Sequence, residues 1–165
     1  MRYPLLVLAA LVPLAACGSN DGAGTTISIN STDSDGNVTA KADGASGTVS
    51  VDVPGFSGAL KLPKIHLDAS NFDMNGVHLY PGSTISNMSV DAHGDNNGVV
   101  TVDFDSPAAP ATVRDWFNDK LTAADFTLRA DGDSLVGTNE DGKPFRLDLT
   151  PAGTGHAAGK ITISG

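Results

Sequence analysis

The chain has 165 residues, with 10 Lys and Arg against 19 Asp and Glu and a formal net charge of −9. Its basic residues are scattered rather than clustered, which excludes nucleic acid as a partner, and a single cysteine excludes a disulfide framework. Nineteen glycines and one glutamate, Glu140, lean the chain away from helix and toward strands joined by turns.

In chain order, Arg2 supplies a positive start, Leu5 to Leu14 an apolar stretch, and Ala15 and Ala16 small residues before Cys17. That is the pattern of an export signal. The apolar run from Pro4 to Ala16 has 13 residues, too few for the roughly 20 that span a bilayer as a helix. A lone thiol in an exported chain would have no partner to pair with. The tetrad Leu14-Ala15-Ala16-Cys17 resembles the bacterial lipobox. The resemblance implies a diacylglycerol on the Cys17 sulfur, palmitate-type acyl chains, and cleavage just before Cys17. Residues 1–16 are then signal peptide. Two or more acyl chains together give stable membrane attachment. Gly18 and Ser19 follow the cysteine in place of a retention Asp, so the resemblance points to the outer membrane, on its periplasmic face. Loss of the signal removes Arg2 and no acid, moving the net charge to −10 and favouring solubility of the body.

Residues 17–25 are read as lipidated Cys17 and a flexible tether, since Gly18 to Thr25 has almost nothing to bury. Residues 26–98 are read as a β-rich region. Within it Ile27, Val38, Val49 and Leu60 recur at intervals of 11, each with a second apolar or small residue two places on: Ile29, Ala40, Val51 and Leu62. Alternation marks half-buried strands, and the intervals Asp33 to Asn37, Asp43 to Gly47 and Pro54 to Gly58 are turn formers. An antiparallel meander is the default for strands this close. A small β-solenoid is the alternative, and the polarity of the first two strands leaves their order open. Ile65, Leu67, Phe72, Met74, Val77 and Leu79 read as core strands. Tyr80-Pro81-Gly82-Ser83 reads as a type II turn, and Ile85, Met88 and Val90 as the next strand.

Residues 99–165 are read as an α+β module that begins with the strand Val99 to Phe104. Val113, Trp116, Phe117 and Leu121 share one helical face, predicting a helix from Pro110 to Ala123 with that face in the core. Phe126 to Ala130, Ser134 to Asn139, Phe145 to Leu149 and Ile161 to Ile163 read as strands separated by Gly-containing hairpin turns. The fold class expected is α+β, mainly β: a short-strand meander, then one helix packed on an antiparallel sheet. The Tyr80-Pro81-Gly82 turn, the aromatic pair on the helix and Phe126 after it resemble an uncharacterised α+β module of small bacterial envelope lipoproteins, over Val77 to Gly165. Those modules commonly carry a glycine where this chain has Asp125, a residue that tolerates a left-handed backbone better than most. The resemblance implies a fold and no catalytic residues.

Candidates for chemistry are sparse. His66, His78, His93 and His156 have no zinc-site spacing; His66 and His78 alternate with apolar neighbours and are expected on the wet face of strands. Asp33 and Asp35, and Asp131 and Asp133, are weak candidates for a divalent cation. The first pair fails the EF-hand test because position 12 counted from Asp33 is Gly44. No Gly-x-Ser-x-Gly elbow and no phosphate loop occur. The sequence therefore leads to a non-catalytic, lipid-anchored envelope protein with an interaction or structural role. It has no cofactor beyond the covalent lipid on Cys17, and an envelope protein is its expected partner, met through an exposed edge strand or an apolar groove beside the helix. The alternative is a binding module for a small ligand or divalent cation through the Asp-rich turns.

Overall fold

The structure is a computed structural model describing residues 24–33, 36–62, 66–93 and 98–165. Among the described residues eleven strands form one sheet and one helix packs on it. The first four strands, β1 (Thr26–Asp33), β2 (Gly36–Asp43), β3 (Thr48–Val53) and β4 (Phe56–Lys61), pair in sequence order and antiparallel. The residues spaced by 11 fall one on each strand and share one face, but not one row: Ile27 stands opposite Ala42, Ala42 opposite Val49, and Val49 opposite Leu60, while Val38 pairs with Ser31. The arrangement is the meander, not the solenoid, because each strand pairs antiparallel with the next, with tight turns after β2 and β3. Asp43 closes one such turn, its carboxylate accepting from the backbone N–H groups of Ala45 and Ser46.

Two readings of the N-terminal region are corrected. Gly24 and Thr25, read as the end of the tether, belong to the fold: Gly24 N–H donates to Gly44 O. Thr25 is buried, its hydroxyl donating to Ile85 O at 2.6 Å and accepting from Leu67 N–H at 2.9 Å. The apolar run from Leu67 to Leu79 is not a set of core strands either. Only Leu67–Asp68 (β5) is strand; Ile65 lies outside the described residues. Phe72, Met74, Val77 and Leu79 are buried from an irregular segment held by a Met74–Val77 bridge. Polar side chains bonding to nearby backbone favour such loops over ladders, as Asp68 does to Ser70 N–H and Asp73 to Gly76 N–H.

The segment leads into the expected turn. Ser83 N–H donates to Tyr80 O at 3.0 Å, and Gly82 takes φ 81°, as the third residue of a type II turn demands. Strand β6 (Thr84–His93) follows and joins the two regions, lying parallel to β1 and antiparallel to β7 (Gly98–Ser106). The sheet is therefore mixed rather than antiparallel throughout. A register shift between Ile85 and Asn87 inserts an extra residue, which is why Ile85 and Met88, three apart, share a face.

Helix α1 spans Pro110–Thr122, with Pro110 at its first position and Lys120 in its last turn, where a cation suits the macrodipole. Its end is a Schellman closure: Phe126 N–H donates to Leu121 O and Asp125 N–H to Thr122 O, with Asp125 at φ 65°. Asp125 thus holds the left-handed position expected of it. Strands β8 (Thr127–Asp131), β9 (Ser134–Thr138), β10 (Pro144–Pro151) and β11 (Ala157–Ser164) complete the sheet, in the order β4-β3-β2-β1-β6-β7-β11-β10-β9-β8. Val113, Phe117 and Leu121 are fully buried against Val102, Phe104, Leu135, Leu147 and Ile161. Gly159 lets this happen: a Cβ there would lie 2.1 Å from the Phe104 ring.

Candidate functional site

Register places one face of the sheet in a single chemical class from edge to edge. Starting at β4, the row runs Leu60, Val49, Ala42, Ile27, Met88, Val102, Ile161, Leu147 and Leu135. The adjacent row runs Gly58, Val51, Ala40, Ile29, Val90, Val100, Ile163, Phe145 and Gly137. Directly paired residues point to the same side, so both rows face the side that carries α1. No charged residue stands in either row. Lys41, Asp52 and Asp103 pair among polar neighbours on the other face, where Asp91 stands between Asn30 and Val99.

The cover is unequal. Helix α1 packs on β8 to β11, and the segment from Phe72 to Leu79 joins it in the core beside Ile85 and Phe104. No described residue lies over β1 to β4 as a second layer. Leu60 is 68% exposed, Phe56 64% and Leu62 47%, and Ile29 and Val38 are exposed as well. None of the buried core hydrophobics comes from β1 to β4. All six residues of β4 are exposed, and β4 is an edge strand. The opposite edge, β8, carries Arg129 and Asp131, charges of the kind that protect an edge. From Phe56 to Leu60, β4 has none.

Several groups on the polar face are paired, although the buried Asn30 Oδ1, beside Thr39 and Asp91, has no hydrogen-bond partner. Asn87 donates to Asp103, which meets Lys160 at 3.3 Å. Arg146 grips Asp148 through both Nε and Nη2 at 2.6 Å, while Ser134 donates to the same carboxylate. The Arg146 hydrogen bond holds Asp148 below the ordinary carboxylate range, against partial desolvation. Asp43 is lowered chiefly by Ser46 N–H, and Asp68 by the Ser70 hydroxyl. These are cross-strand pairs and local turns with their partners already in place. No poised acid, base or nucleophile stands among them.

The residues singled out from the sequence do not converge. Cys17 and Asp35, and the side chain of Asp33, lie outside the described residues. The Asp131-Gly132-Asp133 turn already holds a cation from the chain itself: Arg114 donates to Gly132 O at 2.8 Å and stands 3.8 Å from Asp133. Among the described residues no group of three or more His, Cys, Asp or Glu is placed to hold a metal ion. His66 and His78 are exposed, but from irregular chain rather than strands; His78 Nδ1 lies 2.8 Å from Phe72 O. Trp116 sits half-buried at the margin of the helix face. It packs edge-on to Tyr80 and to Phe117, with centroids 5.9 and 5.0 Å apart.

What sequence reasoning missed is the bare half of the apolar face. A signal for it existed: one helix and one irregular apolar segment are too little to cover eleven strands. Among the described residues no helix is long and apolar enough to cross a membrane. Compared with protein-family models, curated proteins and solved structures, the chain matches none significantly.

Proposed function

We propose that this is a lipid-anchored, non-catalytic protein of the bacterial envelope, held through Cys17 on the periplasmic face of the outer membrane, whose β-rich body has an interaction role. The observation that carries the reading is the sole cysteine at the end of Leu14-Ala15-Ala16-Cys17, after a 13-residue apolar run. Six residues separate Cys17 from Gly24, the first described residue. At about 5–6 Å times the square root of that number, a tether of this length keeps the body within roughly 15 Å of its anchor. The charge-free rows over β1 to β4, next to that attachment point, support an interaction role over catalysis. The cation alternative loses support at Asp131 and Asp133, where Arg114 supplies the positive charge.

Labelling of growing cells with an alkyne analogue of palmitate, followed by capture of the protein, tests the anchor. Label on the wild type, absent from Cys17→Ser, is the expected result. Unlabelled wild type, or label that survives Cys17→Ser, overturns the reading.

A further inference from the structure

We infer that the bare half of the apolar face is the interface with a second copy of this chain, the two meanders closing face to face into a sandwich. The inference goes beyond the anchoring proposal and does not depend on it. A sheet with one apolar face is stable when that face is buried against a second layer. Here the second layer is α1 over β8 to β11 and the segment from Phe72 to Leu79 beside Ile85 and Phe104, and it stops there. Its end makes a step one helix thick, about 10–12 Å, matching the ~10 Å spacing at which two sheets pack. A flat bilayer would meet the helix before it met β1 to β4, whereas another four-stranded sheet fits the step.

The pattern of sizes is self-complementary, as a two-fold interface requires. With the axis parallel to the strands and between β2 and β3, β2 of one copy covers β3 of the other. The small residues Ala40 and Ala42 then face Val51 and Val49. The large exposed Leu60 of β4 comes over Ile27 of β1. In this arrangement the open β4 edge of each copy faces α1 of the other across β6 and β7. The charge-free rows also suit a self-association that the acidity of the chain opposes elsewhere.

Strand spacing and rise give the four strands a footprint on the order of 450 Å² per copy. With the adjoining Met88, Val90 and Val100, a pair buries on the order of 1,000 Å², at the lower limit of specific interfaces. The contact is weak between free chains and strengthened when both copies are confined to one surface, where the effective concentration rises.

The test introduces Ala40→Cys or Val51→Cys on the bare face, and Thr39→Cys on the wet face, into the full chain. Each is treated in intact cells with a short bis-maleimide. The expected result is a product of twice the chain mass, at least tenfold stronger from the bare-face variants than from Thr39→Cys and lost when Leu60→Lys is added. Leu60 is 68% exposed, so lysine there leaves the single copy folded. A bare-face product no stronger than that of Thr39→Cys overturns the proposal, as does one that survives Leu60→Lys. Bare-face thiols shielded from maleimide without a double-mass product assign the face to lipid or another protein and overturn it too. Wild type that crosslinks through Cys17 reports an unacylated thiol. That outcome defeats the anchor alone, because the ratio between bare and wet faces still decides the interface.

Discussion

Val102, Ile161, Leu147 and Leu135 are at most 1% exposed, while Leu60, in the same cross-strand row eight strands from Leu135, is 68% exposed. Both ends of the sheet obey one alternation, apolar on one side and polar on the other. What separates them is the second layer: α1 and the segment from Phe72 to Leu79 lie over one half only. The difference teaches that alternation fixes which residues share a face but not whether that face is buried. A fully buried Leu or Val contributes about 1.5–3 kcal/mol relative to exposure. The covered half collects this term at many positions. The bare half holds its shape through ladder hydrogen bonds, tight turns and its seam with β6, so in a single copy it leans on its neighbour for stability.

The largest expected difference between the halves is the cost of truncation. Phe117→Ala, beneath the Phe104 and Trp116 rings, should destabilise by about 3–5 kcal/mol. Val51→Ala on the bare face should cost roughly 1 kcal/mol or less, since its side chain is only half-buried. Denaturant midpoints at low protein concentration, where single copies prevail, measure both. Equal losses at the two sites would mean that the meander has a cover of its own and would break the comparison.

Adding a methyl should give the next effect. Gly159→Ala puts a Cβ into the Phe104 ring, and overpacking of this kind costs about 1–3 kcal/mol. Gly58→Ala on β4 meets the Phe56 ring at 3.2 Å, and an exposed ring can swing aside. It should be neutral, or stabilising by up to about 1 kcal/mol through reduced freedom of the unfolded strand. Opposite signs in thermal melts of the two variants would sharpen the contrast. A matching loss at Gly58 would show that β4 is confined.

Much of this fold is legible in the sequence. The residues spaced by 11, Ile27, Val38, Val49 and Leu60, fall one on each strand of the meander, and of the helical set Val113, Trp116, Phe117 and Leu121 all but the half-buried Trp116 form the buried stripe. Pro81-Gly82 makes the expected turn. Local chemistry decides each of these, so a local reading reaches them. The parallel seam of β1 with β6 was not legible, because it pairs residues about 60 positions apart and no periodicity records which strand lies beside which. Nor was the irregular course of Phe72 to Leu79, whose apolar residues alternate in two pairs, Phe72 with Met74 and Val77 with Leu79, while Asp68 and Asp73 divert the backbone into turns. The candidate surface was half legible. Its residues were recognisable as one face, but its exposure depends on how far α1 reaches, which is a tertiary property.

The smallest effect concerns acid, and it separates the halves by mechanism. Asp148, in the covered half, is lowered by a hydrogen bond from Arg146 on the same strand, with Lys160 across the ladder adding attraction. A carboxylate lowered on folding contributes stability that is present above its unfolded value, near 3.8, and lost as pH falls through its folded value. Its side chain is about a third exposed, so screening leaves that contribution below roughly 1 kcal/mol. Asp43, in the bare half, is lowered mainly by backbone and hydroxyl donors within its own turn. Salt at 1 M shortens the Debye length to about 3 Å, which weakens attraction between charges more than it weakens a turn's hydrogen bonds. Melting curves between pH 2 and pH 6 should therefore show an acid limb that Asp148→Asn flattens in low salt and barely alters in 1 M salt. Asp43→Asn should change that limb equally at both salt concentrations. A salt response shared by the two variants would mean that long-range charge, rather than the Asx turn, governs the bare half as well.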